Sequence, residues 1–260
     1  MPLPLRTLPA AALVCAGVLL SGCAGGTGPQ PSPSTAAAER VPDGGKNAGG
    51  GRSAPEPRAQ TLQAREIPGL GPRTRAAIPA GTRQALVVSG KGADANTSTA
   101  VLYERDAATG WSPASARWPA HNALRGWTDD HRQGDLRSPI GVYGLSDAGG
   151  LLPDPGTELP YDQESLFTIS GRGFEGEPLE GSFDHVVAVD YNREPGTSPL
   201  DPARPLGDDK GGGIWIHVDH GGPTQGCVSL ERDRMKELLR ALDPGLRPIV
   251  VMGPAEVLAR

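Results

Sequence analysis

A mainly β domain with one substantial amphipathic helix is the fold class this sequence predicts, and three observations predict it. After Thr61 the apolar residues fall in short segments separated by Gly, Pro, Asp and Asn, the pattern of short strands joined by turns. One segment near the C-terminus instead repeats apolar residues at helical spacing: Met235, Leu238, Leu239 and Leu242. The 260 residues include 37 Gly and 27 Pro, which disfavours a large helical fold and points to an unstructured portion. With 37% hydrophobic and 4% aromatic residues, the chain can fill one modest core but not a polytopic membrane protein or a helical solenoid. A net charge of −5 lacks the basic excess of a nucleic-acid binder.

Met1 to Gly22 carries one positive charge, Arg6, then an apolar run from about Leu8 to Leu20, then small residues. This is the layout of a secretory signal peptide, and the run is too short to span a bilayer. Leu20-Ser21-Gly22-Cys23 resembles the lipobox of bacterial lipoproteins, in which the Cys is lipidated and becomes the first mature residue. The expectation is therefore a leader over residues 1–22 and a lipid anchor at Cys23, on the outer face of the cytoplasmic membrane. Stable anchoring there requires two acyl chains or more. Residues 23–60 are rich in Gly, Pro, Ser and Ala without apolar periodicity, so they read as a tether with a reach of roughly 30–35 Å towards the cell wall. Once Cys15 leaves with the leader and Cys23 carries lipid, one thiol remains, Cys227, and no intramolecular disulfide can form.

Residues 61–260 are expected to form a single domain. Candidate strands are Gln84 to Ser89, Thr99 to Arg105, Ile140 to Leu145, Ser165 to Ser170, His185 to Tyr191, Gly213 to Val218 and Pro248 to Met252. The helix is read as Glu231 to Leu242, stopped by Asp243-Pro244-Gly245, with Lys236, Glu237 and Arg240 on its solvated face. Whether the segment from Ile67 to Arg117 joins the same sheet is left open.

Gly213-Ile214-Trp215-Ile216-His217-Val218 reads as a buried strand bringing His217 to its end. A Gly/Pro loop follows, then Thr224-Gln225-Gly226-Cys227-Val228-Ser229, and then the helix. A thiol beside a helix N-terminus and an imidazole is expected to ionise near neutral pH, which is what nucleophilic catalysis requires. Gly226 keeps side-chain bulk away from the thiol. The N–H groups around Gln225 and Gly226 could hold an oxyanion. On the residues alone two other readings stay open: a buried structural Cys beside a core His, or a metal held by His217, Asp219, His220 and Cys227.

The segment from Ile214 to Val228 resembles the signature of the L,D-transpeptidase family (YkuD domain). That signature has an upstream strand His, then Ser/Thr, His/Arg, Gly, Cys, a hydrophobic residue and Arg/Asn. His217, Thr224, Gly226, Cys227 and Val228 match; Gln225 and Ser229 depart, and the His-to-Cys spacer is shorter than usual. Gly134-Asp135 with Ser138-Pro139-Ile140-Gly141, and Val189-Asp190-Tyr191-Asn192-Arg193, extend the likeness from about Ile67 to Met252. The resemblance implies a β-sandwich-like catalytic domain acting on peptidoglycan stem peptides without a cofactor or metal. Cys227 would attack the carbonyl of the stem's third residue. His217, oriented by a backbone carbonyl just after it, would move the protons, and His220 is the fallback base. Joining the acyl group to a second stem's amine gives a 3→3 cross-link; water instead gives an L,D-carboxypeptidase.

Thr224, Tyr191, Asn192 and Arg193 are candidate substrate-binding residues, the guanidinium suiting stem-peptide carboxylates. His121, His131 and His185 are taken as structural or solvent-facing. A monomer is expected. A sortase-like enzyme fits poorly, because Arg232 and Arg234 lie on the helix rather than on a strand after the Cys. A non-catalytic wall-binding lipoprotein of the same fold is the alternative that Gln225 and Ser229 support.

Overall fold

The computed structural model describes residues 65–260; the expected leader, tether and lipidated Cys23 lie outside the described residues. A short helix α1 (Pro72–Ala77) precedes β1 (Gln84–Gly90), β2 (Thr97–Asp106), β3 (Gly110–Pro113), β4 (Trp118–His121), β5 (Trp127–Thr128) and β6 (Ser138–Pro139). Then come β7 (Gly141–Gly144), β8 (Ala148–Gly150), β9 (Tyr161–Gln163), β10 (Val186–Ala188), β11 (Trp215–Val218) and β12 (Val228–Leu230). Helix α2 (Arg232–Ala241), β13 (Ile249–Pro254) and α3 (Ala255–Leu258) complete the chain. Eleven strands form one curled mixed sheet in the order β7-β13-β1-β2-β4-β12-β11-β10-β8-β9, with β3 on β2, which realises the expected mainly β class. The segment from Ile67 to Arg117 is no separate module, because β2 pairs with β4 and β4 with β12.

Side chains alternate across a strand, and here both faces of the sheet are covered. Along β1, Leu86 and Val88 enter one apolar cluster while Ala85 and Val87 enter another; β13 divides likewise into Val250 and Met252 against Ile249 and Val251. Burial on both faces is why these strands read as continuous apolar runs. Helix α2 matches its expected stripe: Met235, Leu238, Leu239 and Leu242 are all buried in the larger cluster. Glu231 and Leu242 are its caps, and the Asp243 side chain accepts from the Gly245 N–H at 2.6 Å to turn the chain. No helix among the described residues is long and apolar enough to cross a membrane.

The expected strand from Ser165 to Ser170 does not form. Phe167 alone is buried there, against Trp215, while Leu166 is 72% exposed, so the segment has no continuous face to pair. Pairing falls instead on β9, which lies beside β8. The latter ends in two glycines, at which a Cβ would lie 2.6 Å from the Asp162 carbonyl oxygen (Gly149) and 2.2 Å from that of Asp184 (Gly150).

Candidate active site

Strand β11 divides its side chains between two environments. Ile216 and Val218 enter the core under α2, so Trp215 and His217 must project from the opposite face. β12 runs parallel to it with Ile216 opposite Val228 and His217 opposite Ser229. One step further along this register Cys227 falls beside Trp215, and the Trp215 N–H donates to Cys227 Sγ at 3.4 Å. His217 and Cys227 therefore share a face. Both line an open cavity of about 360 Å³.

The turn carrying the thiol is braced from two sides. Thr224 Oγ1 donates to the Cys227 carbonyl at 2.6 Å, and Ser138 Oγ reaches the same oxygen at 3.3 Å. Thr224, expected among the substrate-binding residues, thus lines the cavity, with its hydroxyl proton committed to the turn. The N–H groups of Gln225, Gly226 and Cys227 engage no backbone carbonyl among the described residues, so they remain donors at the cavity wall. A Cβ at Gly226 would meet Ile214 Cδ1 at 3.0 Å.

His217 Nδ1 bonds the Val218 carbonyl at 2.9 Å, which places its proton on Nδ1 and leaves Nε2 as the basic nitrogen. Phe183 stands edge-on to the imidazole at 5.4 Å and to Trp215 at 5.0 Å. Burial in this setting holds His217 down at about 4 and pushes the Cys227 thiol up to about 11, partly countered by the Trp215 N–H. The thiol proton has an acceptor of its own, the Gly213 carbonyl at 3.6 Å. A thiolate stabilised by a helix N-terminus was the expectation, and the structure corrects it. Strand β12 separates Cys227 from α2, so the dipole acts beyond its effective range of about one turn. The resting pair is a neutral thiol and a neutral imidazole.

The other histidines are divided between roles. His131, expected to be structural or solvent-facing, is buried in the cavity wall with Nδ1 3.0 Å from Asp135 Oδ1. His220 also lines the cavity, its ring parallel to that of His217 at 5.8 Å. His121 Nδ1 pairs with Asp219 Oδ1 at 2.8 Å, and Ser229 Oγ donates to the same oxygen at 2.6 Å. This commits Asp219 and removes it from the alternative metal set; among the described residues no three His, Cys, Asp or Glu gather to hold an ion. His185 is held by the Tyr161 hydroxyl at 3.0 Å.

Tyr191, Asn192 and Arg193 do not line this cavity, contrary to expectation. The Arg193 guanidinium is buried between Asp147 at 2.9 Å and Asp190 at 2.5 Å, and it also donates to the Thr197 carbonyl. Asn192 donates to the Gly207 and Gly211 carbonyls, and the Tyr191 hydroxyl donates to the Lys210 carbonyl. Their hydrogen-bonding capacity is used in holding loops together. The guanidinium that does line the cavity is Arg172, on the segment from Gly171 to Asp184 that also supplies Phe174, Leu179 and Phe183. Sequence reasoning missed these residues because nothing in the segment's composition says which loop folds over the strand ends. The one available signal was its aromatic and Leu content amid Gly and Glu.

Comparison with the curated proteins finds no match. Residues 82–251 match the family model YkuD, the L,D-transpeptidase catalytic domain, a span that contains β1 to β12, α2 and every cavity residue named above. That match covers well over half of the chain and agrees with the mainly β sheet that carries the His and Cys, and on these grounds the protein belongs to the YkuD family of L,D-transpeptidase catalytic domains.

Proposed function

We propose that this chain is a cysteine L,D-transpeptidase that forms 3→3 cross-links between peptidoglycan stem peptides. The observation that carries the reading is the β11–β12 register, which sets Cys227 and an imidazole with a free Nε2 on one wall of an open cavity. His217 Nε2 takes the thiol proton as Sγ attacks the carbonyl carbon of the donor's third residue, and returns it to the departing amine. Because both groups rest neutral, proton transfer accompanies attack rather than preceding it. The Gln225 and Gly226 N–H groups face the developing oxyanion, an effect worth on the order of 10²–10³ in rate per donor. The acyl group then passes to the side-chain amine of a second stem.

Incubation of the chain with a purified disaccharide-tetrapeptide, followed by mass spectrometry, tests this. A cross-linked dimer lost in Cys227→Ala is expected. Tripeptide without dimer would make the protein an L,D-carboxypeptidase. The high thiol pKa favours a second reading, a non-catalytic wall-binding protein, and absence of both product and Cys227 adduct would establish it. Anchoring through Cys23 to the outer face of the cytoplasmic membrane belongs to the same proposal and rests on Leu20-Ser21-Gly22-Cys23. Metabolic labelling with palmitate should mark the protein and be lost in Cys23→Ser.

A further inference from the structure

The transfer step requires more proton handling than His217 provides. An alkyl side-chain amine has a pKa of about 10, so near neutral pH an acceptor arrives as an ammonium ion. It must lose one proton to become a nucleophile and a second as the C–N bond forms. When the C–S bond breaks, the Cys227 sulfur takes back only one, through His217. The other must leave before attack, and without a base in the cavity to take it only the roughly 0.1% of acceptor already neutral near pH 7 can react.

The cavity holds a second imidazole suited to that task. The His220 side chain is only 6% exposed, yet it lines the cavity beside His217 and Cys227. Its Nδ1 lies 3.3 Å from Glu177 Oε1, an ion-pair distance without hydrogen-bond alignment, and both atoms are buried and otherwise unpartnered. Buried polar atoms without partners call for a reason, and catalytic contacts that are loose without substrate often tighten with it. Glu177 is held as a carboxylate by its own N–H and by that of Glu175, the latter at 2.8 Å to Oε2. A carboxylate at Nδ1 fixes the proton there and leaves Nε2 for the cavity. The ionisable groups facing His220 are Glu177 from the covering segment, His217 from β11 and Asp219 from the turn after it.

We propose that His220, oriented by Glu177, is the base that strips the first proton from the acceptor's ammonium group, while His217 carries the second to the sulfur. This rests on the transpeptidase reading above. Hydrolysis needs no such step, because water arrives neutral. His220 is thus a catalytic residue for transfer, and Glu177 is a positioning residue.

The experiment follows the full chain acylated at Cys227 by the tetrapeptide donor and partitioned between water and Nα-acetyl-lysine at about pH 7. His220→Gln should lower aminolysis about 100-fold, at least ten times more than it lowers hydrolysis. Raising the pH to about 10, where about half of the amine is neutral against roughly 0.1% near pH 7, should restore most of the loss. Glu177→Gln should give a smaller loss with the same alkaline rescue. Aminolysis by hydroxylamine, which is neutral near pH 7, should run at a similar rate in the wild type and in His220→Gln, and loss of this rate in the variant identifies one that merely misfolds. Equal loss of hydrolysis and aminolysis, or no alkaline rescue, would overturn the role of His220 alone. Failure of the wild type to form any Cys227 acyl adduct would overturn the transpeptidase reading and this one with it.

Discussion

The neutral resting state of the proposed Cys227–His217 pair has a direct consequence for how Cys227 responds to pH. Only the thiolate alkylates, so the rate follows its population. With the thiol pushed up to about 11, roughly 0.1% is ionised at about pH 8, against about a quarter for an ordinary thiol near 8.5. The population ratio is about 200-fold. A more basic sulfur is also more nucleophilic, by about tenfold across this interval, leaving a net deficit of about 20-fold. Iodoacetamide labelling of the Cys227 peptide, measured by mass spectrometry in native and denatured chain, reads this directly. The native rate should climb nearly tenfold per pH unit from about pH 6 to about pH 10, while the denatured rate levels off above about 8.5. His217 stays neutral above about 4, so His217→Asn should leave the slope of this profile in place while abolishing acyl transfer. A native rate that is level below about pH 7 would mean a preformed thiolate–imidazolium pair and would refute the burial argument.

Three further outcomes are expected. Because the folded His217 binds its proton only near 4 while the unfolded chain does so near 6.5, its contribution to stability is present above about pH 6.5 and lost as pH falls towards 4; urea titrations should show His217→Asn recovering about 3 kcal/mol of that loss. Arg193→Met would leave Asp147 and Asp190 buried without their cation, so stability should fall by about 3–5 kcal/mol by chemical denaturation, with KM for the donor unchanged. Leu238→Ala, in the fully buried stripe of α2, should cost about 2–5 kcal/mol in the same measurement while sparing the acylation rate per folded molecule.

The elements legible in the sequence were those whose own residues carry the pattern. Helix α2 was visible because its four apolar side chains recur at the helical period and all enter one cluster. Strands β1, β2, β7, β10, β11 and β13 were visible as short apolar runs. Short strands such as β8, β9 and β12 were not, since, unlike β10 within the apolar run from Val186 to Val189, their three residues stand outside any longer apolar run and their pairing is decided by whatever lies alongside. The error at residues 165–170 has the same origin: Phe167 looked like a strand residue but is a single anchor against Trp215. At the site, Cys227 and His217 stood out through local spacing, whereas His131, Glu177 and Phe183 come from distant loops with no mark of their destination.

By itself, the sequence determined that a lone thiol and an imidazole ten positions before it flank a tight turn in a β-rich domain, because residue types and short spacings are properties of the chain. The tertiary structure alone decided their protonation and their surroundings. A pKa depends on what excludes water and which dipoles point at the group, and those neighbours arrive by folding: Phe183 over His217, β12 between the thiol and α2, and Asp147 and Asp190 claiming Arg193.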